Sequence, residues 1–190
     1  MARTPAPGTR ETILTAAAGL FYEHGVRGVS MAQVVEAAGC GKNLLYKHFP
    51  SKAELAAAYL SLVRHERERS VTEALHWSTD PVDRLLALTG EVADMVRQPG
   101  YRGCAFRNYL TEFPDEDDEP ARVAQAYLAD SRAQWDRLVT GIGGSALLAD
   151  RIWLVVNGLY TGPAGQAGVA VEWITELVRA ETGSSISATR

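Results

Sequence analysis

Two short helices joined at a glycine limit what this chain can become. Residues 30–49 read SMAQVVEAAGCGKNLLYKHF. Ser30, followed three residues on by Gln33, is a capping-box pair that closes the start of a helix reciprocally. Val34, Val35 and Ala38 give that helix one apolar side. Gly39 then breaks the run, as a residue that takes positive φ does. A second helix begins near Gly41. Its Leu45 and Phe49 lie four apart, while Lys42, Asn43, Tyr46, Lys47 and His48 carry donors on other sides. A short helix, a tight turn and a second helix with outward donors form the helix-turn-helix arrangement that enters the DNA major groove.

The flanking sequence supplies the rest of a small bundle. Thr9 to His24 reads as a helix with Ile13, Leu14, Ala17, Leu20 and Phe21 at the helical period and Gly25 as its stop. Pro50 ends the second helix of the pair. Ser51 caps a long helix, with Glu54 at the capping-box position, that runs towards Trp77 without a Gly or Pro. Beyond it, Asp80-Pro81 opens a helix through Gln98. Further helices are expected over Arg102 to Phe113, Ala121 to Ile142, Ser145 to Tyr160 and Val169 to Ala180. No alternating strand pattern is visible. The expected fold is all-α, with about nine helices: a three-helix head and a C-terminal helical bundle. The expected divisions are a flexible arm (1–8), a DNA-binding head (9–52), a ligand-binding and dimerising body (53–182) and a disordered tail (183–190).

Composition removes several classes. With 46% hydrophobic residues in 190, the chain can bury a core. No apolar run approaches the roughly 18 residues of a membrane span, and MARTPAPG is too polar and Pro-rich for a signal peptide. The expected location is cytoplasmic. Two cysteines, Cys40 and Cys104, are too few for a disulfide framework, and no CxxC or His/Cys cluster marks a zinc site. No cofactor or metal is implied. The net charge of −4 argues against a generic nucleic-acid binder, but it is unevenly spread. Residues 1–52 hold six basic residues (Arg3, Arg10, Arg27, Lys42, Lys47, Lys52) against three acidic ones (Glu11, Glu23, Glu36), a net +3. The remainder is acidic. Such a chain presents one end to phosphate.

The motifs ILTAAAGLFYEHG, SMAQVVEAAG and LYKHFPSKAEL resemble the tetracycline-repressor (TetR) family of bacterial transcription regulators over Thr9 to Leu60. The LYKHF stretch followed by the capped SKAEL is the most specific part. The resemblance implies nine or ten helices, a homodimer, a DNA-binding head and a body that binds a small-molecule effector. GCAFRNYLTEFPDEDDEPAR resembles a segment found in one broad branch of the family. LVVNGLY resembles the family's penultimate helix, with Asn157 where Asp is common. Two positions depart from the pattern: Leu44 stands where Ser or Thr is frequent, and Gly41 where a capping Ser is frequent.

The motif as a whole supplies the candidate DNA-binding set: Ser30, Gln33, Cys40, Lys42, Asn43, Leu44, Tyr46, Lys47, His48 and Lys52. The lysines and Tyr46 suit phosphates, which set register and carry little sequence information. Asn43, Leu44 and Cys40 lie nearer base edges, since Asn pairs with adenine in bidentate fashion and Leu touches a thymine methyl. His48 either meets phosphate or packs in the turn. The candidate ligand-binding set is Met95, Cys104, Asn108, Tyr109, Glu112, Tyr127, Trp153 and Asn157. Cys104, Asn108 and Glu112 recur every four residues and share a helix face, and the aromatics offer apolar lining or core. The acidic run Asp115 to Glu119 lacks calcium-loop spacing and reads as a solvated loop. The last two helices (145–181), with small residues for close packing, are the expected dimer interface.

The function these features predict is a homodimeric repressor released from a palindromic operator, a double-stranded DNA site, by a small, largely apolar effector. Two other readings are an effector-independent architectural DNA binder and an all-α enzyme. The enzyme reading lacks a convergent catalytic set: the four histidines (His24, His48, His65, His76) have no evident Ser or Cys partner.

Overall fold

The computed structural model describes residues 9–183. The arm over 1–8 and the tail beyond 183, read above as flexible, lie outside the described residues. Among these, the chain forms nine α-helices and one 3-10 turn, with no strand. In order they are α1 (Thr9–His24), α2 (Met31–Ala37), α3 (Lys42–His48), α4 (Lys52–His76), α5 (Pro81–Arg97), α6 (Ala105–Glu112), α7 (Glu119–Gly141), α8 (Ala146–Thr161) and α9 (Ala167–Thr182). The 3-10 turn, Ala164–Gln166, precedes α9 and carries no sequence signal that was read in advance. The chain divides into two compact units. One runs to His65 and includes Cys104–Tyr127; the other holds Glu66–Gly103 and everything from Leu128. α6 and the first turns of α7 thus cluster with α1, α2 and α3.

In the first unit, α1 packs on α2 and α3. Its stripe resolves to Ile13, Ala17 and Phe21, all buried, and Val26 and Val29 fold back beneath it. Leu45 and Phe49 from α3 and Leu55 and Leu60 from α4 are buried as well. Each full burial of a side chain this size stabilises by about 1.5–3 kcal/mol. Phe21 meets Tyr59 edge to face at 5.7 Å, a favoured aromatic geometry.

The second unit is built on α5, α8 and α9, which pack on one another. Leu85, Leu88, Val92 and Val96 line the inner face of α5, with Ile152 and Val156 from α8 and Ile174 and Val178 from α9. The ends are well closed. Asp80 accepts from the N–H groups of Val82 and Asp83, with Pro81 as the first helical residue. Ser145 caps α8 through Leu148 N–H, and its own N–H donates to Glu181 on α9 at 2.9 Å. Hydrogen bonding to the Ser145 side chain, and then to its backbone N–H, holds the Glu181 carboxyl below its ordinary value. Arg67 donates to both carboxylate oxygens of Glu91 at 2.5 and 2.8 Å, which fastens the C-terminal half of α4 to α5.

Candidate nucleic-acid interface

The turn between α2 and α3 is built by local rules. Ser30 is extended and accepts the Gln33 N–H on its hydroxyl at 3.3 Å. The Gln33 side chain in turn accepts the Ser30 backbone N–H at 2.8 Å. At the other end of α2, Gly39 has φ +60°. Its N–H donates to Glu36 O and the Cys40 N–H reaches Val35 O, a Schellman closure. A side chain at Gly39 would meet nothing within 4 Å. The glycine is thus required by its backbone angle and not by crowding.

Gly41 then starts α3 without a side-chain cap. Leu45 and Phe49 hold the helix from beneath, at 0% and 2% exposure. That leaves Lys42, Asn43, Tyr46 and Lys47 on the exposed side. The Lys42 ammonium lies 5.9 Å from the Tyr46 ring centroid, within cation–π range. Leu44 and Cys40 are half-buried. His48 is half-buried, with Nε2 shut from solvent and without a hydrogen-bond partner.

Three of the candidate DNA residues have protein partners. Ser30 and Gln33 hold each other in the cap. Lys52 donates its ammonium to the Arg27 carbonyl at 3.2 Å. Partial burial pushes this ammonium below its ordinary value, against the attraction of Glu112 and with the repulsion of Arg27.

Glu112 also has a role within the first unit that the sequence did not suggest. Its carboxylate accepts the Arg27 backbone N–H at 2.6 Å, and the Arg27 guanidinium donates to the Glu112 carbonyl. The same guanidinium lies over the Phe113 ring at 4.8 Å. Gly25, at φ +78°, lets the turn approach: a Cβ there would stand 2.9 Å from the carboxylate. The end of α6 is thereby latched to the turn between α1 and α2. Glu112, expected above among the ligand contacts, here serves a backbone N–H 85 residues away. No periodicity connects positions so far apart.

The other ligand-binding candidates are distributed over both units. Cys104 stands before α6 as its N-cap, and Asn108 is half-buried one turn on. Tyr109 is buried and donates to Asp118 at 2.9 Å; burial, then that bond, raise its phenol above the ordinary range. Tyr127 stacks on Phe106 at 3.8 Å. In the second unit, Met95 is half-buried on α5, and Asn157 donates to the Trp153 carbonyl at 2.7 Å. Trp153 also takes Arg132 over its ring at 5.8 Å. Both cysteines are free thiols. Among the described residues, no group of three His, Cys, Asp or Glu side chains is placed to hold a metal ion.

The outer surface of α8 and α9 is apolar. Leu147, Leu154, Val169 and Trp173 are exposed, and a groove of about 460 Å³ runs among Leu154, Gly158, Pro163, Val169, Ala170 and Trp173. None of the candidate ligand residues lines it. Among the described residues, no helix is long and apolar enough to cross a membrane.

Fold and site define a class: an all-α protein with an N-terminal helix-turn-helix whose second helix is exposed. Residues 13–59 match the tetR family of bacterial regulatory proteins. Over 112 residues the chain is 33% identical to the HTH-type transcriptional activator FasR of Mycolicibacterium smegmatis, covering 58% of this chain and 51% of FasR. Over 77 residues it is 39% identical to the HTH-type transcriptional regulator TtgR of Pseudomonas putida, covering 40% and 36%. The chain spans about half the length of these curated relatives or less. A solved TetR transcriptional regulator of Streptomyces avermitilis is 30% identical, with a TM-score of 0.74 and 91% and 97% of the two chains covered. A TetR-family regulator of Streptomyces coelicolor superposes with a TM-score of 0.85 at 22% identity, covering 92% and 96%, a likeness of fold. The chain belongs to the tetR family of transcriptional regulators.

Proposed function

We propose that the chain is a cytoplasmic, homodimeric transcriptional repressor, with residues 9–52 as its DNA-binding part and residues 53–182 as its effector-binding and dimerising part. The observation that carries this reading is the exposed row Lys42, Asn43, Tyr46 and Lys47 on α3, supported from beneath by buried Leu45 and Phe49. A helix so held fits the major groove, with lysines on phosphate and Asn43 and Leu44 near base edges. The apolar α8–α9 surface supports pairing through residues 145–181, since a monomer rarely exposes a contiguous apolar patch of this kind. Two heads would then read a near-palindromic operator at a spacing of one helical turn or a multiple of it.

A small, largely apolar effector taken up by the C-terminal part would favour a dimer whose heads no longer match the operator. Moving the population from 1:99 to 99:1 requires a preference of about 5.5 kcal/mol. The latch between Glu112 and the Arg27 turn gives α6 a direct hold on the head, a second route beside α4. The relative FasR is named an activator, so the sign of regulation is part of what must be measured. Selection of genomic fragments by the purified protein identifies the operator. Anisotropy on that operator then gives its affinity, with and without candidate effectors. Lys47→Ala and Asn43→Ala should each weaken binding at least several-fold. Wild-type affinity in both variants would remove α3 from the interface.

A further inference from the structure

Arg10 is the one arginine or lysine of α1, and beyond its share in the positive charge of residues 1–52 none of the readings above gives it a contact. It is exposed, yet its guanidinium is not loose: it lies over the ring of Phe49, 4.7 Å from the centroid. Phe49 is the C-cap of α3, and its ring is 2% exposed. Its backbone N–H donates to Leu45 O at 2.8 Å and its side chain is buried, so the ring is held at the end of α3. Among the described residues, Arg10 has no carboxylate partner.

This arrangement has a chemical consequence. A guanidinium held over an aromatic ring is drawn to it by cation–π attraction, which leaves N–H donors of its planar fork free for another acceptor. A ring that cannot move therefore holds those donors ready, at little further entropic cost on binding. The donors have the geometry of a two-pronged contact to phosphate oxygens. A helix in a major groove about 12 Å wide has a phosphate strand on each side. With α3 in the groove, a cation anchored at its C-terminal end would be within reach of one of those strands, and the head around it carries net positive charge.

Resting on the DNA-binding reading above, we propose that Arg10 is a phosphate-contacting residue that reaches the duplex from α1 and, through Phe49, fixes the seating of α3 in the groove. The contact is to backbone and independent of sequence, so it can be tested without the operator. The probe is a fluorescein-labelled 30-base-pair duplex of mixed sequence, titrated by anisotropy from low to moderate salt. Each neutralised phosphate contributes about −0.9 to the slope of log K against log salt. Arg10→Met keeps an apolar stem over the ring but removes the charge. It should flatten the slope by about 0.9 per head and leave thermal unfolding close to wild type. Arg10→Lys should retain the wild-type slope. An unchanged slope in Arg10→Met would overturn the proposal and leave Arg10 as cover for Phe49. A wild-type protein that fails to bind the duplex at low salt would overturn the DNA-binding reading together with this one.

Discussion

The carboxylate of Glu112 accepts the backbone N–H of Arg27 at 2.6 Å across 85 residues of sequence, at a turn that Gly25 opens by taking φ +78°. The contact ties the last residue of α6 to the segment that positions α2. Glu112→Ala removes the acceptor and should cost about 1.5–3 kcal/mol of stability, the range for a hydrogen bond to a charged group. Gly25→Ala should cost more, because it adds a strained φ to a Cβ only 2.9 Å from the carboxylate. The two effects should not add in the double variant, since removing the carboxylate relieves the crowding. Urea unfolding of the four proteins measures this directly.

Arg67 and Glu91 form a two-pronged ion pair with side chains 13% and 18% exposed. Its worth lies between that of a surface pair, at most about 1 kcal/mol, and a buried one that costs about 3–5 kcal/mol to break from one side. Arg67→Ala or Glu91→Ala should each lose about 2 kcal/mol. Arg67→Met with Glu91→Leu should recover much of that, because no charge is then stranded. Midpoints of chemical denaturation would show the pattern.

Tyr59 and Tyr109 both hold their protons above the ordinary phenol range, with burial as the first cause in each. A raised folded value means the contribution to stability is complete below the unfolded value, about pH 10. It is then lost as pH rises through the folded value. An absorbance titration of the phenolate band should therefore show a late component, accompanied by unfolding. Tyr59→Phe and Tyr109→Phe should each remove part of it.

Gly41 starts α3 in extended backbone, with no cap bond and open space around its Cβ position. Gly41→Ser should supply the missing oxygen to a free N–H of the first turn and restrict the unfolded chain. The expected gain is about 0.5–1 kcal/mol. A thermal melt that moves down would show that the open position serves another purpose.

Much of this fold was legible because its signals are local. Gly25 set the end of α1, and the Ser30–Gln33 pair and Gly39 set both ends of α2. Boundaries drifted where one signal was weak. The helix expected from Arg102 starts only at Ala105, since Gly103 resists propagation and Cys104 becomes the cap. The helix expected from Val169 starts two residues earlier, behind an unforeseen 3-10 turn. The exposed row on α3 followed from spacing alone. The partners of Lys52, Glu112 and Tyr109 did not, because a side chain's exposure can be guessed from period while its contact across the fold cannot. The same limit hid Arg10, whose neighbour is 39 positions away.

The closing of α2 by Ser30 and Gln33 bears on how selective the protein can be. With Gln33 occupied, Asn43 is the last amide in the motif able to make a two-bond match to a base. One such match separates right from wrong letters by about 1–3 kcal/mol, or roughly 5- to 150-fold. A solitary head would be a poor speller. Fidelity would come from reading the same short word twice, on either side of a dyad.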